Sequence, residues 1–227
     1  MKSGLREVVE YEDGVLKERK FYSGTQLEGE YLSYYSNGQV IVQLFFKNGL
    51  KHGPAVSYFR DGSLREKGFF VDGRLEGDYT NYHENGKIRE CEQYRAGKLC
   101  GVYRRYFSNG QLRDEENFED GRFHGDYVVF YKSGELREKG SFFKDKRDGE
   151  YIAYYRSGKI KERARYRTDK LISKFEMFDE GGNPLSMIPE DYEVEEENKE
   201  KGRSFDEMML PHRLEPPKET THPFMRK

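Results

Sequence analysis

The sequence predicts an all-β fold: an elongated, single-layer antiparallel β-hairpin repeat array, twisted or trough-shaped, with a flexible C-terminal tail. Three observations carry this prediction. Glycine recurs with a 24-residue period, in one series at Gly29, Gly53, Gly77, Gly101, Gly125 and Gly149 and in another at Gly14, Gly38, Gly62, Gly86, Gly110, Gly134, Gly158 and Gly182. Each period contains two turn signals. The segments between them are rich in Tyr, Phe, Val, Ile and Leu, which favour strands. A fixed period of this size denotes stacked supersecondary units that bury their apolar faces against one another.

The elements follow in order. Residues 1–28 read as an N-terminal half-repeat that caps the array, with an early glycine at Gly24. Residues 29–172 read as six 24-residue hairpin repeats. In the first, Ser36-Asn37-Gly38-Gln39 predicts a two-residue type I′ turn, which needs positive φ at both central residues. The same place holds Asp61-Gly62, Asn85-Gly86, Asn109-Gly110, Ser133-Gly134 and Ser157-Gly158. A second turn is predicted at Asn48-Gly49, Asp72-Gly73, Ala96-Gly97 and Asp120-Gly121. Residues 173–187 repeat one strand and turn and stop after Pro184, as a C-terminal cap. Residues 188–227 open with an acidic stretch, PEDYEVEEENKEK, which predicts a largely disordered tail. Within it Ser204 and Glu207 fit a capping box, and Phe205, Met208, Met209 and Leu210 form a candidate docking motif.

A tight turn at Asn37-Gly38 would pair Tyr35 with Val40, Tyr34 with Ile41, Ser33 with Val42, Tyr31 with Leu44 and Gly29 with Phe46. Alternation then sorts the side chains between two faces. One face carries Tyr31, Tyr35, Val40 and Phe46, in columns that continue as Tyr79, Tyr103, Tyr127 and Tyr151, as Phe59, Phe107, Tyr131 and Tyr155, as Leu64, Ile88, Leu112, Leu136 and Ile160, and as Phe70, Tyr94, Phe118, Phe142 and Tyr166, and is the expected core. There Phe46 is expected to cover Gly29. The opposite face carries Tyr34, Tyr58, Tyr82, Tyr106, Phe130 and Tyr154, beside Ile41, Arg65, Arg89, Arg113, Arg137 and Lys161. The acidic ladder Glu66, Glu90, Asp114, Glu138 and Glu162 is expected on the first face, so basic and acidic ladders run on opposite sides, with the acids solvated or ion-paired across strands.

Composition narrows the function. Hydrophobic residues make up 34% and charged residues 36%, a balance that can denote disorder, but the 18 Tyr and 16 Phe recur in register and oppose it. A thin array has much surface and little interior, so its apolar residues are few and large. The formal net charge of −2 gives no field that would draw nucleic acid, and the ladder spacing of roughly 9–10 Å exceeds that of phosphates. No apolar run reaches transmembrane length, and Met1–Glu10 lacks the apolar core of a signal peptide. Cys91 and Cys100 read as reduced thiols, which predicts a cytoplasmic protein. No phosphate loop, metal-ligand cluster or nucleophile motif is present, so no catalytic, cofactor-binding or metal-binding residues are assigned and a non-enzyme is expected. His52 and His124 read as turn residues, and His83 as a packing substitute for an aromatic.

The unit G-x-Y-x-x-Y-Y-x-N-G-x-L, seen in GVYRRYFSNG (101–110), GDYVVFYKSG (125–134) and GEYIAYYRSG (149–158), resembles the variant MORN repeat of bacterial YwqK-type antitoxin proteins. The resemblance covers about residues 5–185. It implies a binding scaffold, in some members a toxin-neutralising partner, with no catalytic residues to carry over. The expected function is therefore protein–protein interaction with a toxin or effector. Tyr34, Tyr58, Tyr82, Tyr106, Tyr154, Arg65, Arg89, Arg113, Arg137 and Ile41 are the candidate contacts, since Tyr and Arg carry much of the energy of interfaces. The Arg residues have a plainer reading, in which their stems cover the Tyr column and their heads pair with carboxylates. Ile41 belongs to the unusually apolar VIVQLFF (40–46), which is either a tighter core or a contact patch. Two alternatives stand beside this reading: a membrane-associated scaffold that binds anionic lipid through the basic ladder, and a structural component that self-associates through its end strands.

Overall fold

The computed structural model describes residues 4–185, and these form one open antiparallel sheet of 20 strands with no helix. The candidate docking motif of Phe205, Met208, Met209 and Leu210 lies outside the described residues. The first strands are β1 (Arg6–Glu12), β2 (Val15–Ser23), β3 (Gln26–Tyr34) and β4 (Val40–Lys47). A two-residue β5 (Leu50–Lys51) and then β6 (Gly53–Tyr58) complete the first 24-residue unit. The pattern repeats as β7 (Leu64–Val71), β8 (Arg74–Leu75) and β9 (Gly77–Tyr82), then as β10 (Ile88–Arg95), β11 (Lys98–Leu99) and β12 (Gly101–Tyr106). It continues as β13 (Leu112–Glu119) and β14 (Arg122–Phe130), as β15 (Leu136–Phe143), β16 (Lys146–Arg147) and β17 (Gly149–Tyr154), and as β18 (Ile160–Arg167) and β19 (Lys170–Leu171), closed by β20 (Glu176–Met177). Each strand pairs with its neighbour in the chain, so the sheet is a continuous meander.

The deep part of the predicted register holds: Ser33 pairs with Val42, Tyr31 with Leu44 and Gly29 with Phe46. At the turn it does not. Tyr34 pairs with Val40, and Ile41 is an extra, bulged residue. The reason lies in the turn. Gly38 N–H donates to Tyr35 O at 2.9 Å, Gly38 has φ +84°, and Asn37 keeps negative φ. This is a type I turn followed by a left-handed glycine, which adds one residue and displaces the pairing. The asparagine is used for its side chain instead. Asn37 Oδ1 accepts from Gln39 N–H (3.2 Å), and its amide donates to Arg60 O in the next unit (3.0 Å). Asn85 and Asn109 make the same pair of bonds.

The type I′ turns are the other series. Asn48-Gly49, Asp72-Gly73, Ala96-Gly97 and Asp120-Gly121 have positive φ at both residues. So do Asp13-Gly14, although Gly14 falls in the glycine series of Gly38 by spacing, and Lys144-Asp145 and Thr168-Asp169, which carry no glycine. These turns lock the units together. Gly49 N–H donates to Leu27 O and Gly73 N–H to Lys51 O, each carbonyl 22 residues earlier, and the bond recurs along the array. Where glycine is replaced, aspartate doubles the lock. Asp145 accepts from Phe123 N–H through its carboxylate while its own N–H donates to Phe123 O, and Asp169 does the same with Arg147.

The predicted core face is the buried one, with one correction: the bulge sets Val40, Leu64, Ile88, Leu112, Leu136 and Ile160 opposite Tyr34 and its equivalents, on the outer face, where Ile88 is 40% exposed. Val42, Leu44, Ala55, Phe70, Leu75 and Tyr79 form one cluster, Leu99, Tyr103, Phe118 and Phe123 a second, and Tyr151, Ala153, Ala164, Tyr166 and Phe175 a third. The sheet has no second layer, so the rings lie down along it. A Cβ placed on Gly68 would sit 2.6 Å from Tyr79, and one on Gly140 2.8 Å from Tyr127. Ring-over-glycine packing thus occurs at these positions; Phe46 instead packs edge-on against Tyr31, with centroids 6.0 Å apart.

A β-branched residue at positive φ is strained, and Thr168 has φ +52°. Thr168→Asn, which tolerates this conformation, is expected to raise stability by about 1 kcal/mol, read as an upward shift in the thermal unfolding midpoint.

Candidate interaction surfaces

The bulge decides where the charged ladders go. In a regular strand consecutive side chains point to opposite faces, but at a bulge two neighbours can share one. The bulged residues are Ile41, Arg65, Arg89, Arg113, Arg137 and Lys161. Each therefore turns toward the residue that follows it. Arg113 Nε lies 3.3 Å from Asp114, Arg137 Nη2 3.4 Å from Glu138, Lys161 Nζ 3.0 Å from Glu162 and Arg89 Nε 3.7 Å from Glu90. Arg65 lies 6.0 Å from the Phe59 ring. Ile41 packs against the Val42 and Leu44 cluster. The expected separation of basic and acidic ladders onto opposite faces is thus corrected: both edge the inner face.

That face holds a chain of buried acids. Glu66, Asp114 and Glu116 are at most 1% exposed, so of the two expectations for the acidic ladder the solvated one falls, while the cross-strand ion pair is found between Arg105 and Asp114. Buried carboxylates require donors, and side chains of the same and neighbouring strands supply them. Glu66 accepts from Ser57 Oγ (2.8 Å) and from the Tyr79 hydroxyl. Tyr94 donates to Glu92, Asn81 to Glu90 (3.0 Å) and Tyr151 to Glu162 (3.3 Å). Burial holds the Tyr79 and Tyr151 hydroxyls protonated to well above the ordinary tyrosine range. At the centre Arg105 binds Asp114 (2.6 Å) and Glu116 (3.0 Å) together. Burial raises the pKa of Asp114, and it pushes Glu116 up to about 7 against the pull of Arg105. Glu116 Oε2 has no hydrogen-bond partner. Apart from that oxygen and Arg137 Nε, these acids and their donors form a core network that gives the inner face little freedom to bind. The signal for it was in the columns: Arg105 stands where other units have Ser33, Ser57, Asn81, Val129 and Ala153, and Glu116, like Glu92 one unit before, stands where the rest have Leu44, Gly68, Gly140 and Ala164.

The outer face keeps the second aromatic column. Tyr34, Tyr58, Tyr82, Tyr106, Phe130 and Tyr154 are all half-buried, one per unit. Beside them run ion pairs across strands, Arg104 to Glu115 (2.6 Å) and Arg163 to Glu176 (2.8 Å). Of the ten predicted contact residues, the five tyrosines therefore share a face, and the four arginines and Ile41 are gathered elsewhere. Near the C-terminal end of this face Glu150, Arg163, Arg165, Ser173, Lys174 and Glu176 line a shallow cleft of about 410 Å³.

The two edges are occupied differently. Along the type I turns, Tyr35, Tyr131 and Tyr155 donate to backbone carbonyls of the next unit at 2.8–3.0 Å, and His83 reaches Tyr106 O at 3.0 Å in the same way. Histidine replaces tyrosine there as a polar equivalent, beyond packing alone. Along the type I′ turns, Glu28, Glu76 and Asp148 each accept a backbone N–H of the next turn, and His52 stands in the same place beside Asp72 (3.1 Å). The residue that follows each of these turns is Leu50, Arg74, Lys98, Arg122, Lys146 and Lys170, and all six are exposed. This is an accessible basic row that sequence reasoning missed, because its positions lie one step past the turn signal. Exposed Val71 and Phe143 flank it.

Comparison with known proteins fits this architecture. The family profile described as MORN repeat variant matches residues 27–48, 51–72, 75–96, 99–120, 123–145 and 147–167. No curated protein matches the chain significantly. Among solved structures, the crystal structure of TcdB2-TccC3-Cdc42 aligns with 81% of this chain at 13% identity and a TM-score of 0.22. This chain spans only 10% of that one. A porin-like protein from Bacteroides uniformis aligns with 75% of this chain and 92% of its own at 9% identity and a TM-score of 0.20. Neither likeness bears on function.

Two expectations follow from the inner network. Tyr79→Phe removes a donor from a buried carboxylate and should cost about 1–3 kcal/mol, whereas Tyr58→Phe on the outer face should change stability by less than about 0.5 kcal/mol, both read by urea unfolding. Glu116, with a folded pKa of about 7 against an ordinary 4.5, holds in the folded state a proton that the unfolded chain has released. Its contribution to stability is therefore greatest below about pH 4.5 and falls as pH rises through 7. Glu116→Gln should remove this slope, so that the variant is more stable than the parent above pH 7 and the difference narrows toward pH 4.5.

Proposed function

The chain belongs to the MORN repeat variant family, and from that premise we propose that it is a non-catalytic protein-binding scaffold whose outer face receives the partner. MORN repeats are associated with protein–protein or membrane–lipid interaction. The observation that carries the protein reading is the outer column of Tyr34, Tyr58, Tyr82, Tyr106 and Tyr154. Its rings are half-exposed at regular spacing on a rigid sheet, while the competing polar chemistry of the molecule is consumed inside. Tyrosines held this way offer large contact area at little entropic cost. The finer reading is a toxin or effector partner that the array covers and neutralises, supported by the likeness of 101–110, 125–134 and 149–158 to the YwqK-type unit. A cytoplasmic location accords with the two free thiols, Cys91 and Cys100.

A second reading rests on the basic row. Arg74, Lys98, Arg122, Lys146 and Lys170 with exposed Leu50 and Phe143 form a strip suited to an anionic lipid surface. It takes the place of the Arg65, Arg89, Arg113 and Arg137 ladder, whose guanidinium groups are drawn toward the inner face.

The two readings separate in one experiment. The full chain, a variant with Tyr58, Tyr82 and Tyr106 changed to Ser, and a variant with Arg74, Lys98 and Arg122 changed to Glu are each checked for folding by circular dichroism. Each is then used for affinity capture and for co-sedimentation with anionic vesicles. The protein reading expects a specific captured partner that the tyrosine variant loses and the charge variant keeps. Vesicle binding at low salt that the charge variant loses would favour the lipid strip and sink the outer-face proposal if capture is unchanged.

A further inference from the structure

The two ends of the array differ. At the C-terminal end β20 is two residues long, and the chain turns straight back on it. Phe178 bridges Pro184, Leu185 N–H donates to Met177 O, and Asn183 ties the turn to the Asp179 carboxylate. Pro184 has no N–H to offer an incoming strand. At the N-terminal end β1 is seven residues long and, among the described residues, pairs on one side only, with β2. Half of its backbone N–H and C=O groups therefore face away from the sheet. Val9 is 39% and Tyr11 66% exposed.

Three glutamates on an open edge would ordinarily repel a second strand. Here each is tied to a cation of β2: Glu7 to Arg19, Glu10 to Lys20 and Glu12 to Lys17, all at 2.7 Å. The carboxylates are drawn back over the sheet, and the edge itself is not defended. It is also self-complementary. With two β1 strands set antiparallel about their common midpoint, Val9, Arg6 of each copy faces Glu12 of the other, and Glu7 faces Tyr11. Paired positions then have the same parity, so the inner faces of the two copies lie on one side of a continuous sheet.

We propose that β1 is the docking edge for a second copy of this chain, which joins by antiparallel β1–β1 pairing about a two-fold axis at Val9. Because the contact uses the same patch on both copies, it closes as a dimer and does not propagate. Head-to-tail growth is denied by the turned-back end at Pro184. The assembly does not depend on which ligand the outer face receives.

Sedimentation velocity of the full chain over a hundredfold concentration range tests this. The expected result is a monomer–dimer equilibrium. Arg6→Glu should weaken the dimer about tenfold or more by setting like charges opposite each other twice, and Glu12→Lys should do the same. An equimolar mixture of the two variants should recover parental affinity, since Glu at 6 then meets Lys at 12 and the native pair is restored on the other side. Val9→Lys should abolish association while leaving the melting curve of the monomer in place. A monomer at every concentration would overturn the proposal, as would a dimer indifferent to Arg6→Glu, Glu12→Lys and Val9→Lys.

Discussion

Carboxylates buried on one face of a sheet that has no second layer set the terms for this molecule. An unpaired buried acid is costly, and its donors are side chains of its own and adjacent strands. Tyrosine meets the need, because its ring covers apolar surface while its hydroxyl reaches across. Tyr79 serves Glu66 in this way, and Tyr31 serves Glu18 at 2.7 Å. For the hydroxyl to arrive, the ring must lie flat, and the flat ring needs small neighbours. Gly68 and Gly140 provide them. Where the flanking column holds another acid, a further donor is needed: Arg105 enters from the opposite strand at Glu116, and the Tyr94 hydroxyl serves Glu92. Thus the identities of three adjacent columns are coupled by one electrostatic requirement.

The bulge serves the same requirement from the edge. One extra residue per hairpin turns a basic side chain toward the acid that follows it in sequence, so that Arg113 reaches Asp114 and Lys161 reaches Glu162. A charge pair between consecutive residues is unavailable to a regular strand. The local irregularity is therefore what lets a thin sheet neutralise its own interior, and it leaves the opposite face free of those charges.

The repeat, the strand identities, the deep register and the core face below the bulge were legible in the sequence, because glycine spacing and period-two alternation report backbone geometry directly. The bulge was not. Asn37-Gly38 and Asn48-Gly49 look alike as dipeptides, yet only the second has positive φ at both residues. The asparagine bond to a carbonyl 23 residues away accompanies the turn but does not decide it, since Asp61-Gly62, Ser133-Gly134 and Ser157-Gly158 form the same turn without it. From that one misread turn came the misplacement of Ile41, Arg65, Arg89, Arg113 and Arg137. Lys144-Asp145 and Thr168-Asp169 escaped because tertiary bonds to Phe123 and Arg147 hold residues in a conformation that their own preferences oppose.

The turn-to-turn bonds have an evolutionary corollary. From Gly49 onward each type I′ turn is anchored to a carbonyl 22 residues earlier, and the type I turns at Asn37, Asn85, Asn109, Ser133 and Ser157 reach forward to the next unit. Adding or deleting a single residue inside a unit breaks phase with both neighbours at once. Duplicating or excising a whole unit by recombination breaks phase with neither. Such a gene can change the length of its product only in steps of one complete copy, while drift at the outward positions of each copy proceeds independently.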